Sequence, residues 1–176
     1  MKNQRKVFLF VLSSLIFISL DKISKNWAKA TLFYQRSKSY FNGAFTLDYA
    51  ENKGAALSFG SNLPEKQAFW VLEVMPALIL LMLLFFIFRN LSKWNWLSMF
   101  SFAGVFSGGT ANLMDRFLYN RHVIDFMILN IFGCQTGIFN VADVFICVGI
   151  IGLLISNFVS PHKVEIASNH ADSHKV

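Results

Sequence analysis

From Ile138 to Val159 the chain runs 22 residues with one charged side chain, Asp143. As a helix that run is long enough to cross a bilayer. A carboxylate inside such a segment is costly, about 2.5–3.5 kcal/mol at the helix centre on insertion scales and less near an end. Asn140 and Asp143 are three apart, so they share a helix face near its start. An acid and an amide held at that depth mark a functional site, and the rest of the chain has to supply their partners.

Three further apolar runs precede it. Val7–Leu20 is uncharged and follows a basic leader containing Lys2, Arg5 and Lys6. Ala28-Lys29-Ala30 mimics a signal-cleavage site, but Asp21 and Lys25 fall at i,i+4 on one face, which favours a retained first span over about 7–28 with Trp27 as an interface anchor. Residues 68–88 form a second span that contains Glu73 and is bent by Pro76. Residues 94–114 form a third, opened by Trp94 and Trp96, with Gly104 and Gly108 at the small-xxx-small spacing of close helix contacts. The fourth covers about 138–159. The chain is 55% hydrophobic and 15% charged, with 20 Phe, well outside the range of a water-soluble domain. Its net charge of +6 is therefore read as attraction to anionic lipid and not to nucleic acid.

Between the spans, Tyr40–Tyr49 is aromatic and partly alternating, which predicts short strands within the 29–67 connection. Asn52-Lys53-Gly54-Ala55-Ala56 predicts a tight backbone path. Asn112, Asp115 and Arg116 fall at i, i+3, i+4 at the end of span three, with Arg116 as the natural counter-charge of Asp115. Residues 126–132 are too short to span and read as a strand or an interfacial segment, and 133–137 as a turn. The expected architecture is an all-α membrane protein of one domain, residues 1–160, with four spans, a small extended subdomain between spans one and two, and a polar tail at 161–176.

Four spans place both termini on one side of the membrane. The other side then collects Asp21, Lys25, Asn52, Gly54, Asn112, Asp115, Arg116, Asp125, Asn140 and Asp143. Three Lys/Arg in the leader and two in the 89–93 loop favour a cytoplasmic assignment for the termini. Cys134 and Cys147 have no zinc or redox spacing and read as apolar filler. The four His form no metal motif, so neither metal nor cofactor is expected.

The simplest reactive unit in this set is a pair of aspartates. Two neighbouring carboxylates do not both ionise readily; one keeps a proton while the other stays charged, so the pair can activate water and protonate a carbonyl. Asp125 and Asp143 fit that role, with Asp115 as a rival. Each also has a structural reading: a cap, a salt bridge or an interhelical link. A small proton-coupled transporter or channel would likewise keep buried carboxylates. It would need polar groups through the full membrane depth, and the cytoplasmic half reads as apolar.

Five blocks, in order, carry a resemblance: Asp21-Lys22-Ile23-Ser24-Lys25; Asn52-Lys53-Gly54-Ala55-Ala56; Gly108 through Asn112-Leu113-Met114-Asp115-Arg116; Val123-Ile124-Asp125-Phe126; and Phe139-Asn140-Val141-Ala142-Asp143. Together they resemble the lipoprotein signal peptidase (signal peptidase II) family of bacterial inner-membrane aspartyl peptidases. The resemblance implies that Asp125 and Asp143 are the catalytic pair. It implies that Asn52, Gly54, Asn112, Arg116 and Asn140 shape the site or hold substrate, with Asp21, Lys25 and Asp115 in support. It implies diacylglyceryl-modified prolipoproteins as substrates and cleavage before the lipidated Cys; the expected partners are those substrates and membrane lipids, and the expected state is a monomer. Lys22, Leu57 and Ala111 stand where the family commonly has Gln, Phe and Gly, which bears on substrate preference.

Overall fold

The computed structural model describes residues 2–55 and 58–159. Expectations for Ala56, Leu57 and the 161–176 tail lie outside them.

Helix α1 spans Lys2–Leu32. It is longer at both ends than the 7–28 expectation, because neither the leader nor Lys29–Leu32 contains a residue that breaks a helix. At about 1.5 Å per residue it has turns to spare beyond a bilayer core. Helix α2 covers Glu65–Arg89. It widens to a π-turn at Trp70–Val74, directly before Pro76. Pro76 has no N–H, and its ring crowds the carbonyl four residues back, at Leu72. A widened turn ending there relieves that conflict. Helix α3 is Trp96–Leu118 and α4 is Val141–Val159. Residues 138–140 lie outside α4 and lead up to it.

Among the described residues three helices, α1, α2 and α4, are long and apolar enough to cross a membrane. Helix α3 carries more small and polar residues. Its glycines let it pack backbone to backbone on α4: a Cβ at Gly104 would lie 2.8 Å from the Phe145 carbonyl oxygen, and one at Gly149 of α4 would lie 2.6 Å from that of Ser101. The small-xxx-small spacing therefore does mark a helix contact. Phe17 of α1 stacks on Phe145 of α4 with ring centroids 4.3 Å apart. Phe10, Ile87, Met99, Phe102 and Ala103 close the core at the bundle's other end. There Lys6 donates to the carbonyls of Leu91 and Ser92, and Trp94 Nε1 donates to Ile87, so the α2–α3 loop is tied to both neighbours.

Strands β1 (Lys38–Tyr40), β2 (Phe45–Asn52), β3 (Val123–Ile131) and β4 (Cys134–Gln135) form one antiparallel sheet in the order β1-β2-β3-β4. This corrects the expectation that the extended subdomain belongs to the first connection alone. A two-stranded hairpin is marginal by itself, and β2 finds its third strand in the segment after α3. The expected 133–137 turn is likewise a hairpin that contains β4. Alternation along β3 sends Ile124 and Phe126 against Ala28 and Leu32 of α1. Asp125 is left on the opposite face. Between Leu47 and Ala50 the β2–β3 register slips, placing one extra β2 residue at Asp48–Tyr49. Beyond that bulge, Ala50 pairs with Asp125 and Asn52 with Val123.

Candidate active site

Each acid of the site is positioned by a different element. Asp143 sits in the first turn of α4, locked in a reciprocal cap: its backbone N–H donates to Asn140 Oδ1 at 3.0 Å, and its own Oδ2 accepts from the Asn140 N–H at 3.0 Å. The i,i+3 spacing seen in the sequence is thus a capping box, and the structural role coexists with any chemical one. Asp125 is 2% exposed. Asn140 Nδ2 donates to its Oδ1 at 2.6 Å and Asn52 Nδ2 to its Oδ2 at 3.1 Å, the latter reaching diagonally across the β2–β3 ladder.

The two acids are joined through shared amides. Asn140, fully buried, contacts both: Asp125 through its side chain and Asp143 through its cap. Asn112 of α3 donates to Asp143 Oδ1 at 2.9 Å while its own Oδ1 accepts from Asn140 and from Lys25. Every oxygen of the two carboxylates thus accepts one amide hydrogen bond. Burial lifts the Asp125 carboxyl from 3.8 to about 6; the negative charge of Asp143 adds to the lift, and the Asn52 and Asn140 hydrogen bonds oppose it.

Behind this pair lies a buried ionic cluster. Lys25 Nζ meets Asp21 Oδ2 and Asp115 Oδ2, each at 2.7 Å, and Asn112 Oδ1 at 2.8 Å, which uses all three of its donors. Asp21, Lys25 and Asp115 are each 1% exposed. Asp21 Oδ1 also accepts the Ala142 N–H at 2.8 Å, so α1 holds the start of α4, one residue from Asp143.

The expected Asp115–Arg116 pair is not made. Adjacent helical residues project about 100° apart, so Asp115 turns to α1, where Lys22 (3.2 Å) and Lys25 hold it. Arg116 turns to the loops and donates to the carbonyls of Gly54 at 2.6 Å and Arg121 at 3.3 Å. Gly54 is required where it stands, since a Cβ would lie 2.5 Å from the Ser58 carbonyl group. Its N–H donates to Asn52 Oδ1, which aims the Asn52 amide at Asp125.

Two contributors escaped the sequence reading. Lys22, noted only as a departure from a motif, ties Asp115 Oδ1 to the Tyr119 hydroxyl. Glu73 is buried on the π-turn of α2, and its charge acts on Arg116. No spacing signals either one, because each partner lies on a separate element. Cys134 and Cys147 are free and exposed.

The acids open into a cavity of about 830 Å³. Its polar end is Asn52, Asn112, Arg116, Asp125, Asn140 and Asp143. Its walls are apolar: Phe59, Val71, Leu72 and Met75 on one side, Leu129 and Phe139 from the sheet region, and Val144, Cys147 and Val148 down α4. A long apolar chain bearing a polar group at one end fits that gradient. Toward the other end of the bundle the helices do bury polar groups, among them Ser13, Ser14, Ser98, Ser101 and Ser156, but these are hydroxyls and not charges. Ser98 and Ser156 bond each other at 2.7 Å between α3 and α4. Among the described residues there is no group of three or more His, Cys, Asp or Glu suited to a metal ion.

Comparison with known proteins gives a consistent result. A family model described as signal peptidase (SPase) II matches residues 13–159. A lipoprotein signal peptidase of Streptococcus pyogenes serotype M1 is 34% identical over 149 residues, covering 84% of this chain and 91% of the relative. One from Borreliella burgdorferi (strain ZS7) is 29% identical over 171 residues, covering 93% and 95%. Two solved structures, each described as a bacterial membrane enzyme, align with TM-scores of 0.70. One is 26% identical over 83% of this chain and 90% of its own; the other, 24% identical over 95% and 94%, shows the shared fold.

Proposed function

The chain belongs to the signal peptidase II family, and from that premise we propose that it is a membrane-embedded aspartyl endopeptidase. It removes signal peptides from diacylglyceryl-modified bacterial prolipoproteins, cleaving before the lipidated Cys. The observation that carries this reading is the convergence of Asp125 and Asp143 on one cavity, linked by the amides of Asn140 and Asn112. The apolar walls suit a signal helix and acyl chains, and the polar end suits a scissile peptide bond.

In the proposed cycle Asp125, whose carboxyl burial raises, enters as the acid and Asp143 as the base. Water held between them loses a proton to Asp143 as its oxygen attacks the scissile carbonyl carbon, while Asp125 gives its proton to the carbonyl oxygen. The tetrahedral diol then collapses. Asp125 takes a hydroxyl proton, the C–N bond breaks, and Asp143 delivers its proton to the amine of the departing Cys. The products are a carboxylic acid and a free amine, and the dyad returns to its starting state. Asn140 and Asn112 hold the carboxylates in place, and Arg116 fixes the Gly54 loop over the site.

The four helices are taken as four spans of one domain in the bacterial cytoplasmic membrane, with both termini cytoplasmic and the site at the outer surface. The basic leader and the 89–93 loop support that orientation. The enzyme is taken as a monomer. The test is gel-shift cleavage of a diacylglyceryl-modified prolipoprotein by the purified protein, beside folded Asp125→Asn and Asp143→Asn variants. Cleavage by the wild type alone supports the peptidase and its dyad. Full activity in either variant overturns the dyad, and an inactive, folded wild type overturns the reading.

A further inference from the structure

The two hairpin turns of the sheet lie side by side. Antiparallel pairing puts the β1–β2 turn and the β3–β4 turn at the same end, and the Asn130 N–H donates to the Ala44 carbonyl at 2.9 Å between them. Each turn presents a phenylalanine where a hairpin in water would place Asn or Gly. Phe41 has φ 52° and is 82% exposed; Phe132 has φ 52° and is fully exposed. Left-handed backbone is unfavourable for a bulky side chain and persists where something is gained by it. Tyr40 and Ile131, beside them, are exposed as well.

We propose that these turns form an anchor that inserts Phe41 and Phe132 into the lipid interface beside the mouth of the cavity. Three observations select lipid as the occupant. The sheet stands at interface depth, because Phe126 of β3 packs edge-on against Trp27, an exposed tryptophan near the outer end of α1. The same cavity is walled by Leu129, two residues before the end of β3, and by Cys147 and Val148, two turns down α4. The end of β3 that leads into its turn and the membrane-crossing helix α4 thus face the same cavity. Arg36 and Lys38, exposed on the approach to the first turn, supply cations at the level of lipid phosphates. Aromatic rings with nearby cations are the side chains that partition into that zone.

The test places an environment-sensitive bimane at Phe132→Cys in a Cys134→Ser/Cys147→Ser background, in nanodiscs of phosphatidylcholine and phosphatidylglycerol. Position 41 is labelled in a separate protein as an independent check. Lipids brominated on their acyl chains should remove most of the emission at both positions, and aqueous iodide should remove little. Strong iodide quenching with no effect of brominated lipid would mean that the turns stand in water, and would overturn the proposal. Protection from both quenchers would mean that protein covers the turns, a second copy included, and would overturn it equally.

Discussion

Replacing Lys25 by Met tests how much of the site rests on the buried cluster behind it. The ammonium is 1% exposed and its three donors go to Asp21, Asp115 and Asn112. Met keeps much of the volume and removes the charge. Two carboxylates then lose their shared cation while remaining buried. Breaking a buried ion pair from one side costs about 3–5 kcal/mol. Residual partners argue for the lower end: the Ala142 N–H still reaches Asp21 Oδ1, and Lys22 still reaches Asp115 Oδ1. The expected loss is therefore about 3 kcal/mol. At about 2–4 °C per kcal/mol for a chain of this size, that is a fall in Tm of about 6–12 °C. Thermal unfolding in detergent micelles reads it directly. Lys25→Met/Asp115→Asn should recover part of the loss, since one stranded charge is gone. A Lys25→Met protein as stable as wild type would refute the view that this lysine neutralises the cluster, as would a double variant less stable than the single one.

Asp125→Asn and Asp143→Asn should each lower turnover on lipidated prolipoprotein by about 10²–10⁴-fold or more, the range of a lost acid–base group. Circular dichroism should stay unchanged, because Asn can still accept the cap bond at 143. The raised carboxyl of Asp125 means that the folded state holds a proton that the unfolded chain has released between pH 3.8 and about 6. Stability should therefore fall as pH rises through that window, by about 3 kcal/mol from this group alone. Chemical denaturation at stepped pH should show Asp125→Asn removing that component, and Asp143→Asn shifting it to lower pH as a neighbouring negative charge disappears. Gly108→Ala would drive a methyl group into the Ala142 carbonyl of α4. It should destabilise by about 1–3 kcal/mol in the same melts and slow cleavage, since Ala142 adjoins Asp143.

Much of the site could be read in the sequence, because single helices impose short spacings. Asn112 and Asp115 one turn apart, Asp21 and Lys25 one turn apart, and Asn140 with Asp143 all survive as the same local units in three dimensions. Asp125 was legible as a candidate but not as architecture. Its depth comes from a third strand joining β2, and a strand pairing across more than seventy residues leaves no periodic trace. Arg116 shows the opposite failure. Proximity in sequence suggested a pair, and helical rotation sends the two side chains to different neighbours. The π-turn before Pro76 was visible only as a bend, since the proline dictates that something must give and not how. Lys22 and Glu73 gain their roles from partners on other elements, beyond the reach of any local pattern.

The start of α4 is held at three points: Asn140 Oδ1 on the Asp143 N–H, Asp143 Oδ2 on the Asn140 N–H, and Asp21 Oδ1 on the Ala142 N–H. Helix ends ordinarily fray within microseconds, and their first amides exchange freely with solvent. Here that fraying is suppressed at the turn that bears Asp143, so the carboxylate moves with the helix as one body and has little private motion of its own. Motion at the site then falls to groups outside this turn, while the aspartate keeps time with the slowest part of the molecule.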